Sequence, residues 1–213
     1  ADALIVRSAT QVDAELLEAA ESLSLVVRAG VGVDNIDLDA ATRKGVDIQN
    51  VPEGNTRSAA EHTIAMMLAL SRNIPEAHRS MKSGEWDRGR FVGVEFQGKT
   101  LGVIGFGKIG RHVAHMGSGL GLEILAFDPF LAPHMAEELG VELVADLGEL
   151  ASRCDYLTVH VPKTEGTSAL IGADVLSRAR EGLRVINCAR GGIVDEAALL
   201  EAIESGRVAG AAL

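Results

Sequence analysis

Short apolar runs of strand length alternate with segments of helical period along the whole chain. In the first part, the runs at 3–9, 23–30 and 46–51 predict strands, and the segments at 12–22 and 38–45 between them predict helices. Strands that are apolar throughout are typical of sheets buried on both faces, and crossover helices join strands that run parallel. The pattern therefore predicts an α/β fold built on parallel sheets.

A longer helical segment follows, from Thr56 to about Lys82. Apolar residues recur in it at helical spacing, beginning with Ala60 and Ile64. Pro75 is expected to bend or break this helix, because proline lacks an amide hydrogen and its ring clashes with the preceding turn.

Residues 84–98 differ from both flanks, since they are punctuated by glycine, mixed in charge and contain the single Trp. We interpret them as a connection between two units. They are either an arm that contacts a partner or a surface loop whose aromatic side chains cover the core. A second alternating series begins near residue 99, so the sequence predicts two α/β units that divide near 92–98.

The composition of the chain bears on whether it binds nucleic acid. The chain has 213 residues, of which 47% are hydrophobic, and its formal net charge is -10. An acidic chain without a Lys/Arg cluster and with only 3% aromatic residues is poorly suited to phosphate backbones or to base stacking. We therefore expect no nucleic-acid partner.

The cysteines and the lengths of the apolar runs bear on metal binding, location and membrane spans. Cys154 and Cys188 have no metal-ligand spacing and form a poor disulfide framework, so we expect no metal site and a cytoplasmic location. No apolar run reaches the length of about 18 residues that a membrane span needs. The chain begins at Ala1 and ends at Leu213 within predicted strands, and we expect it to be a fragment.

The strongest local motif is a glycine-rich turn. Gly105, Gly107 and Gly110 form a GxGxxG pattern that follows an apolar strand and opens a helix. The first glycine permits a tight turn, the second lets the backbone approach a pyrophosphate, and the third lets the helix pack close to the strand. Asp128 ends the next strand about 20 residues further on, where a carboxylate can bind an adenosine ribose diol.

This context favours NAD over NADP, because the carboxylate of Asp128 would repel a 2′-phosphate and no Arg stands beside it. The alternative is a glycine-rich turn of another α/β protein with a carboxylate nearby by chance.

Two arginines follow predicted strands next to glycines. Arg28 begins a second glycine turn that lacks the third glycine, with Asn35 at that position, so it either presents Arg28 and backbone amides to a small anion or is a plain turn. Arg190 follows a strand and precedes two glycines, at the edge of the sheet where open α/β folds bind ligands. A guanidinium there can hold a carboxylate and polarise a carbonyl. The alternative for Arg190 is a surface arginine.

Hydride transfer to or from a hydroxy acid also needs a proton carrier, usually histidine. Of the six histidines only His160 ends a predicted strand, and none has an evident activating partner.

Together these motifs resemble the D-isomer-specific 2-hydroxyacid dehydrogenase family, over essentially the whole chain. The segments that carry the resemblance lie at 4–10, 28–37, 58–78, 99–114, 156–164 and 186–213. The first two, LIVRSAT and RAGVGVDNID, are the narrowest and indicate the branch that acts on phosphoglycerate.

The resemblance implies oxidation of 3-phospho-D-glycerate to 3-phosphohydroxypyruvate with NAD, the first step of L-serine biosynthesis. It implies a partial, flavodoxin-like substrate domain over 1–92 and a Rossmann NAD-binding domain over 93–213. Arg190 resembles the catalytic arginine, and Arg7 and Arg28 resemble arginines that face the anionic substrate. The cofactor positions implied by the family are Val31, Gly105, Gly107, Lys108, Ile109, Gly110, Asp128, Val161, Cys188, Ala189 and Arg190.

The chain also departs from the family. The Glu–His pair that carries the proton in the family lies beyond Leu213, so we expect the fragment to bind NAD at best and to be inactive alone. Glycines near residue 117 predict a short or soft first Rossmann helix. The family implies a homodimer, with 84–98 as the candidate contact. Two other functions stay open: a glyoxylate or hydroxypyruvate reductase, and an NAD-sensing binding protein similar to corepressors of this fold.

Overall fold

The computed structural model describes all residues from Ala1 to Leu213. It divides into two compact units, Ala1–Thr56 and Arg57–Leu213. None of its helices is both long and apolar enough to cross a membrane.

The first unit is a small α/β unit with five elements. These are β1 (Ala3–Val6), α1 (Ala14–Ala19), β2 (Leu25–Arg28), α2 (Leu38–Lys44) and β3 (Asp47–Asn50). The three strands are parallel and lie in the order β1-β2-β3. Val6, Arg28 and Asn50 are paired across the sheet, so the three strands end at one edge. Leu17 and Val26 are buried in the core beneath them.

Aspartates begin both helices of this unit. The Asp13 carboxylate accepts a hydrogen bond from Leu16 N at 3.0 Å, and the Asp37 carboxylate accepts one from Ala40 N at 2.8 Å. Each satisfies an amide that the helix leaves without a partner. Gly45 caps the end of α2 with a φ of 72°, a conformation that favours glycine.

The second unit begins with two helices and continues as an alternating α/β series. Its elements are α3 (Thr56–Ser71, which starts in the last residue of the first unit), α4 (Ile74–Lys82), β4 (Thr100–Ile104), α5 (Lys108–Gly119), β5 (Glu123–Phe127), α6 (Pro133–Glu138), β6 (Glu142–Leu143), α7 (Leu147–Arg153), β7 (Tyr156–Val159), α8 (Ala173–Ser177), β8 (Leu183–Ile186), α9 (Glu196–Glu204) and β9 (Val208–Ala212). Short 3₁₀ turns lie at Gly89–Phe91 and Glu165–Thr167.

Six parallel strands form the sheet of this unit, in the order β6-β5-β4-β7-β8-β9. This is the order of the doubly wound Rossmann sheet, whose direction of winding reverses between β4 and β7. All four residues of β7 are buried, as expected for a central parallel strand covered on both faces. The predicted fold class is confirmed.

The predicted helix over 56–82 is broken just before Pro75. α3 ends at Ser71, and Asn73 adopts the left-handed conformation with a φ of 53°. Pro75 lies in the first turn of α4, where a missing amide hydrogen is tolerated. The hydroxyl of Ser71 is hydrogen-bonded to the buried Tyr156 hydroxyl at 2.9 Å, which ties the end of α3 to the sheet.

The compact units divide earlier than the domains predicted at 1–92 and 93–213. Ala60 and Met67 of α3 are fully buried in one cluster with Leu101 of the Rossmann sheet. This apolar face packs 57–92 with the second unit, so in packing the boundary follows Thr56. The predicted division of roles between substrate and cofactor binding stays a prediction.

Residues 84–98 serve two purposes within the second unit. Phe96 is buried, and its ring lies edge-on to that of Tyr156 with the centroids 5.0 Å apart. Trp86 is 74% exposed. The segment therefore covers the core at one end and leaves aromatic surface exposed at the other.

α5 is not shortened by its glycines. It runs for 12 residues, and a Cβ added at Gly117 would lie 3.0 Å from the side chain of Leu101. The glycine allows close packing of helix on sheet, which offsets its low helix propensity. The expectation of a short helix is wrong.

Candidate active site

The turn after β4 requires glycine at its first position. Gly105 has a φ of 83°, and its amide donates to the carbonyl of Phe127 at 2.9 Å. A Cβ added at Gly105 would lie 2.8 Å from the carbonyl oxygen of His160 and 2.7 Å from the side chain of Val161. Both the conformation and the close approach of the chain after β7 exclude a side chain here.

The other two glycines of the motif differ in what surrounds them. A Cβ added at Gly110 would overlap the carbonyl oxygen of Gly105, whereas one added at Gly107 meets nothing within 4 Å. Gly107 is the N-cap of α5 and provides no side-chain cap. The helix therefore presents amide groups to open space that a side chain at Gly107 would fill. This arrangement fits a pyrophosphate.

Asp128 lies directly after β5 with its carboxylate held by the backbone. One oxygen accepts a hydrogen bond from Phe106 N at 2.8 Å, and the other accepts one from Phe130 N at 2.9 Å. Each carboxylate oxygen can accept a further hydrogen bond. The carboxylate is thus fixed beside the glycine turn and still able to accept hydrogen bonds from a ribose diol.

The loop after β8 is held by a residue that sequence reasoning did not single out. The Asn187 side chain donates to the carbonyl of Arg190 at 2.8 Å and accepts from Ala189 N at 3.0 Å. The Arg190 guanidinium donates to the carbonyl of Ala189 at 2.8 Å. Asn187 therefore sets the shape of the loop that carries Arg190, and only its place before CARGG hinted at this.

Neither cysteine is an activated nucleophile. Burial raises the pKa of the Cys188 thiol, although a hydrogen bond to Thr63 opposes the shift. Burial raises the pKa of Cys154 to about 12. Both thiols stay protonated at neutral pH, so Cys188 acts by packing beside α3. No group of acidic, His or Cys side chains is arranged to hold a metal ion.

His160 is the one histidine outside the helices. Its ring lies 3.0 Å from the hydroxyl of the fully buried Thr158, and its amide donates to the carbonyl of Ile104 at 2.7 Å. Burial lowers the pKa of His160 to about 4. The ring is neutral at pH 7 and a weak base, which fits a role in supporting the turn at Gly105.

Because His160 is held neutral, acid should destabilise the protein through it. In the unfolded chain the imidazole of His160 has the ordinary pKa of 6.5. As the pH falls from 7 toward 4, the unfolded chain therefore binds a proton at His160 before the folded protein does. We subtract the free energy of unfolding of His160→Asn from that of wild type. This difference should fall by about 2 kcal/mol between pH 7 and pH 5. Urea unfolding at both pH values measures this, and parallel pH profiles of the two proteins would contradict it.

In the first unit the two arginines predicted to face the substrate lie at the same edge of the sheet. Arg7 follows β1 and is exposed, and Arg28 ends the adjacent strand β2. The buried Asn35 donates to the carbonyl of Arg7 at 2.8 Å, so it ties together the chain segments after both strands. The carbonyl of Val31 accepts from the Asn50 side chain at 2.6 Å.

In the second unit the glycine turn, Asp128, Val161 and Arg190 follow β4, β5, β7 and β8. Since these strands are parallel, all four lie at the carboxyl edge of the sheet, around the point where its winding reverses. This is the edge at which doubly wound sheets bind ligands.

A family model matches residues 64–213, and its description is D-isomer specific 2-hydroxyacid dehydrogenase, NAD binding domain. The match covers the Rossmann sheet and the second half of α3. The predicted cofactor, NAD, is therefore the cofactor of the matching domain.

Two curated relatives carry the same name. The chain is 53% identical over 212 residues to the D-3-phosphoglycerate dehydrogenase of Archaeoglobus fulgidus, covering 100% of the chain and 40% of that protein. It is 51% identical over 212 residues to that of Bacillus subtilis, with the same shares covered, 100% and 40%. The chain thus spans about two fifths of the length of these relatives.

Solved structures of lower identity have the same fold. The D-lactate dehydrogenase of Aquifex aeolicus, complexed with NAD and lactic acid, matches with a TM-score of 0.88 and 32% identity, covering 99% of this chain and 63% of that one. A glyoxylate reductase from Paecilomyes thermophila matches with a TM-score of 0.89 and 32% identity, covering 100% and 66%.

Proposed function

We propose a function for a chain that belongs to the D-isomer-specific 2-hydroxyacid dehydrogenase family. The protein oxidises 3-phospho-D-glycerate to 3-phosphohydroxypyruvate with NAD. This reaction is the first step of L-serine biosynthesis. One observation carries the proposal. About half of the residues, over the whole chain, are identical to those of relatives named D-3-phosphoglycerate dehydrogenase. Its similarity to the glyoxylate reductase is lower, at 32%.

The dinucleotide would lie along the carboxyl edge of the Rossmann sheet. Its pyrophosphate would rest on the amides at the start of α5, over Gly107, and its adenosine ribose on Asp128. The remaining proposed cofactor positions would act mainly through backbone groups, which leaves their side chains little constrained. They are Val31, Gly105, Lys108, Ile109, Gly110, Val161, Cys188, Ala189 and Arg190.

Arg190 is the proposed catalytic residue. Bound NAD would supply the acceptor for a hydride from the substrate. Arg190 would bind the substrate carboxylate through two parallel hydrogen bonds and stabilise negative charge on the reacting oxygen. Asn187 holds the backbone of the loop that presents it.

The reaction also requires a base for the hydroxyl proton. His160 is unsuited because its pKa is lowered to about 4 and its ring is hydrogen-bonded to Thr158. The other five histidines lie on helices. We therefore propose that the proton carrier lies outside residues 1–213, in the part of the protein that the curated relatives possess and this chain does not span.

Turnover by the full-length protein tests the function. Phosphoglycerate and NAD should give NADH, measured by its absorbance, whereas residues 1–213 alone should bind NAD without turnover. NAD binding without turnover by the full-length protein would favour the dinucleotide-sensing alternative. Preference for an unphosphorylated hydroxy acid would favour the reductase alternative.

Arg7 should distinguish phosphorylated from unphosphorylated substrates. We propose that the exposed guanidinium after β1 binds the substrate phosphate. In full-length Arg7→Ala, kcat/KM for 3-phosphohydroxypyruvate with NADH should fall at least about tenfold, the effect of one lost charge-assisted hydrogen bond. Hydroxypyruvate, which differs by the phosphate alone, is the matched control and should lose much less. Equal losses for both substrates would remove the phosphate from the role of Arg7.

We further propose a cytoplasmic homodimer or higher homo-oligomer, with residues 84–98 in the contact. Trp86 and Val92 support the proposal because they are 74% and 78% exposed, and large apolar side chains at that exposure favour an interface. Sedimentation of the full-length protein tests the oligomeric state.

A further inference from the structure

Gly30 lies under the side chain of Arg28 in the first unit. A Cβ added at Gly30 would overlap one terminal nitrogen of the Arg28 guanidinium and lie 2.8 Å from its central carbon. The guanidinium therefore lies directly against the backbone of Gly30. No other residue type leaves room for this position of the arginine.

Three backbone hydrogen bonds hold the turn beneath the arginine. The Ala29 amide donates to the carbonyl of Val6 at 2.8 Å, and the Gly30 amide donates to the carbonyl of Arg28 at 2.8 Å. The Val51 amide donates to the carbonyl of Gly30 at 3.0 Å. The first and third of these bonds link the turn to the ends of β1 and β3, and the second lies within the turn. A side chain added at position 30 would therefore displace the flexible guanidinium rather than the turn.

The Arg28 Nε in this position is buried and has no hydrogen-bond partner. A buried donor on a cationic group without an acceptor is unfavourable. Arg28 as a whole is only partly buried, so an anion at this edge of the sheet can still bind the guanidinium through groups other than Nε. The position of Arg28 is thus suited to an anionic ligand.

We propose that Gly30 is a positioning residue: its missing side chain lets the Arg28 guanidinium lie across the turn, where it binds an anionic group of the substrate. The inference rests on the proposed function, in which the substrate carries both a carboxylate and a phosphate. Gly30 acts through Arg28 and does not itself touch the reacting atoms.

Steady-state kinetics of the full-length protein test the coupling. Gly30→Ala should raise KM for phosphoglycerate about tenfold, as for one lost charge-assisted hydrogen bond, and change kcat little. In the Arg28→Ala background the same substitution should have no further effect, because the group it displaces is gone. Gly119→Ala is the control, since its Cβ would meet nothing within 4 Å and the residue lies outside the first unit. Its KM should match wild type.

An unchanged KM in Gly30→Ala, or an effect that adds to that of Arg28→Ala, would overturn the inference. A crystal structure of Gly30→Ala provides a readout that does not depend on turnover. It should show the guanidinium displaced and the turn at 28–31 unmoved, and a guanidinium that stays in place overturns the inference. Absence of turnover in the wild-type protein would instead count against the proposed function.

Discussion

Replacing Arg190 with alanine in the full-length protein is expected to lower kcat by about 10² to 10³-fold. The guanidinium would interact with charge that develops on the reacting oxygen, and losing one such donor has an effect of this size. Arg190→Lys keeps the charge but cannot form two parallel hydrogen bonds, so its activity should lie between those of wild type and Arg190→Ala. Steady-state turnover of phosphoglycerate with NAD measures both.

Binding of NAD serves as the control for this experiment. The Asn187 side chain bonds to the backbone of Ala189 and Arg190, so the loop can keep its shape when the Arg190 side chain is truncated. NAD affinity and Tm of Arg190→Ala should therefore stay close to wild type. Turnover within about tenfold of wild type, with folding intact, would be too small a loss for a catalytic donor and would remove Arg190 from that role.

The alternating fold was predictable because its signals are local. A run of apolar residues and a capping residue predict an element without knowledge of its neighbours, as α2 illustrates with Asp37 before it and Gly45 after it. The break between α3 and α4 was harder to place. Asn73 rather than Pro75 changes the direction of the chain, at a point where Ser71 is tied to Tyr156, a residue far away in sequence.

The glycines and Asp128 of the candidate site were predictable because their spacing reflects one backbone geometry. Asn187 and Asn35 were not, since their side chains act on loops and bond to carbonyl groups that no spacing pattern marks. For a similar reason the sequence did not indicate which compact unit 57–92 packs with. The apolar face of α3 reveals that it packs, but not against which sheet.

The three glycines of the cofactor turn differ in a way that yields the sharpest test of the dinucleotide site. A side chain at Gly105 or Gly110 would collide with the protein itself, so its replacement would disturb folding and binding together. Gly107 has a φ of -73° and a ψ of -160°, which alanine adopts without strain, and its Cβ would meet no protein atom within 4 Å. Gly107→Ala should therefore fold normally.

NAD binding by Gly107→Ala should nevertheless weaken at least about tenfold, a loss of about 1.4 kcal/mol, because the new methyl group would occupy the space of the pyrophosphate over α5. Calorimetric titration of the full-length protein with NAD measures the affinity. Thermal unfolding without NAD should give a Tm close to wild type, because the effect of alanine on the unfolded chain offsets its lower preference for the N-cap position. Gly119→Ala is the matched control, since its Cβ also meets nothing within 4 Å but lies at the far end of the same helix. If Gly107→Ala bound NAD as tightly as Gly119→Ala, the pyrophosphate could not lie against this turn.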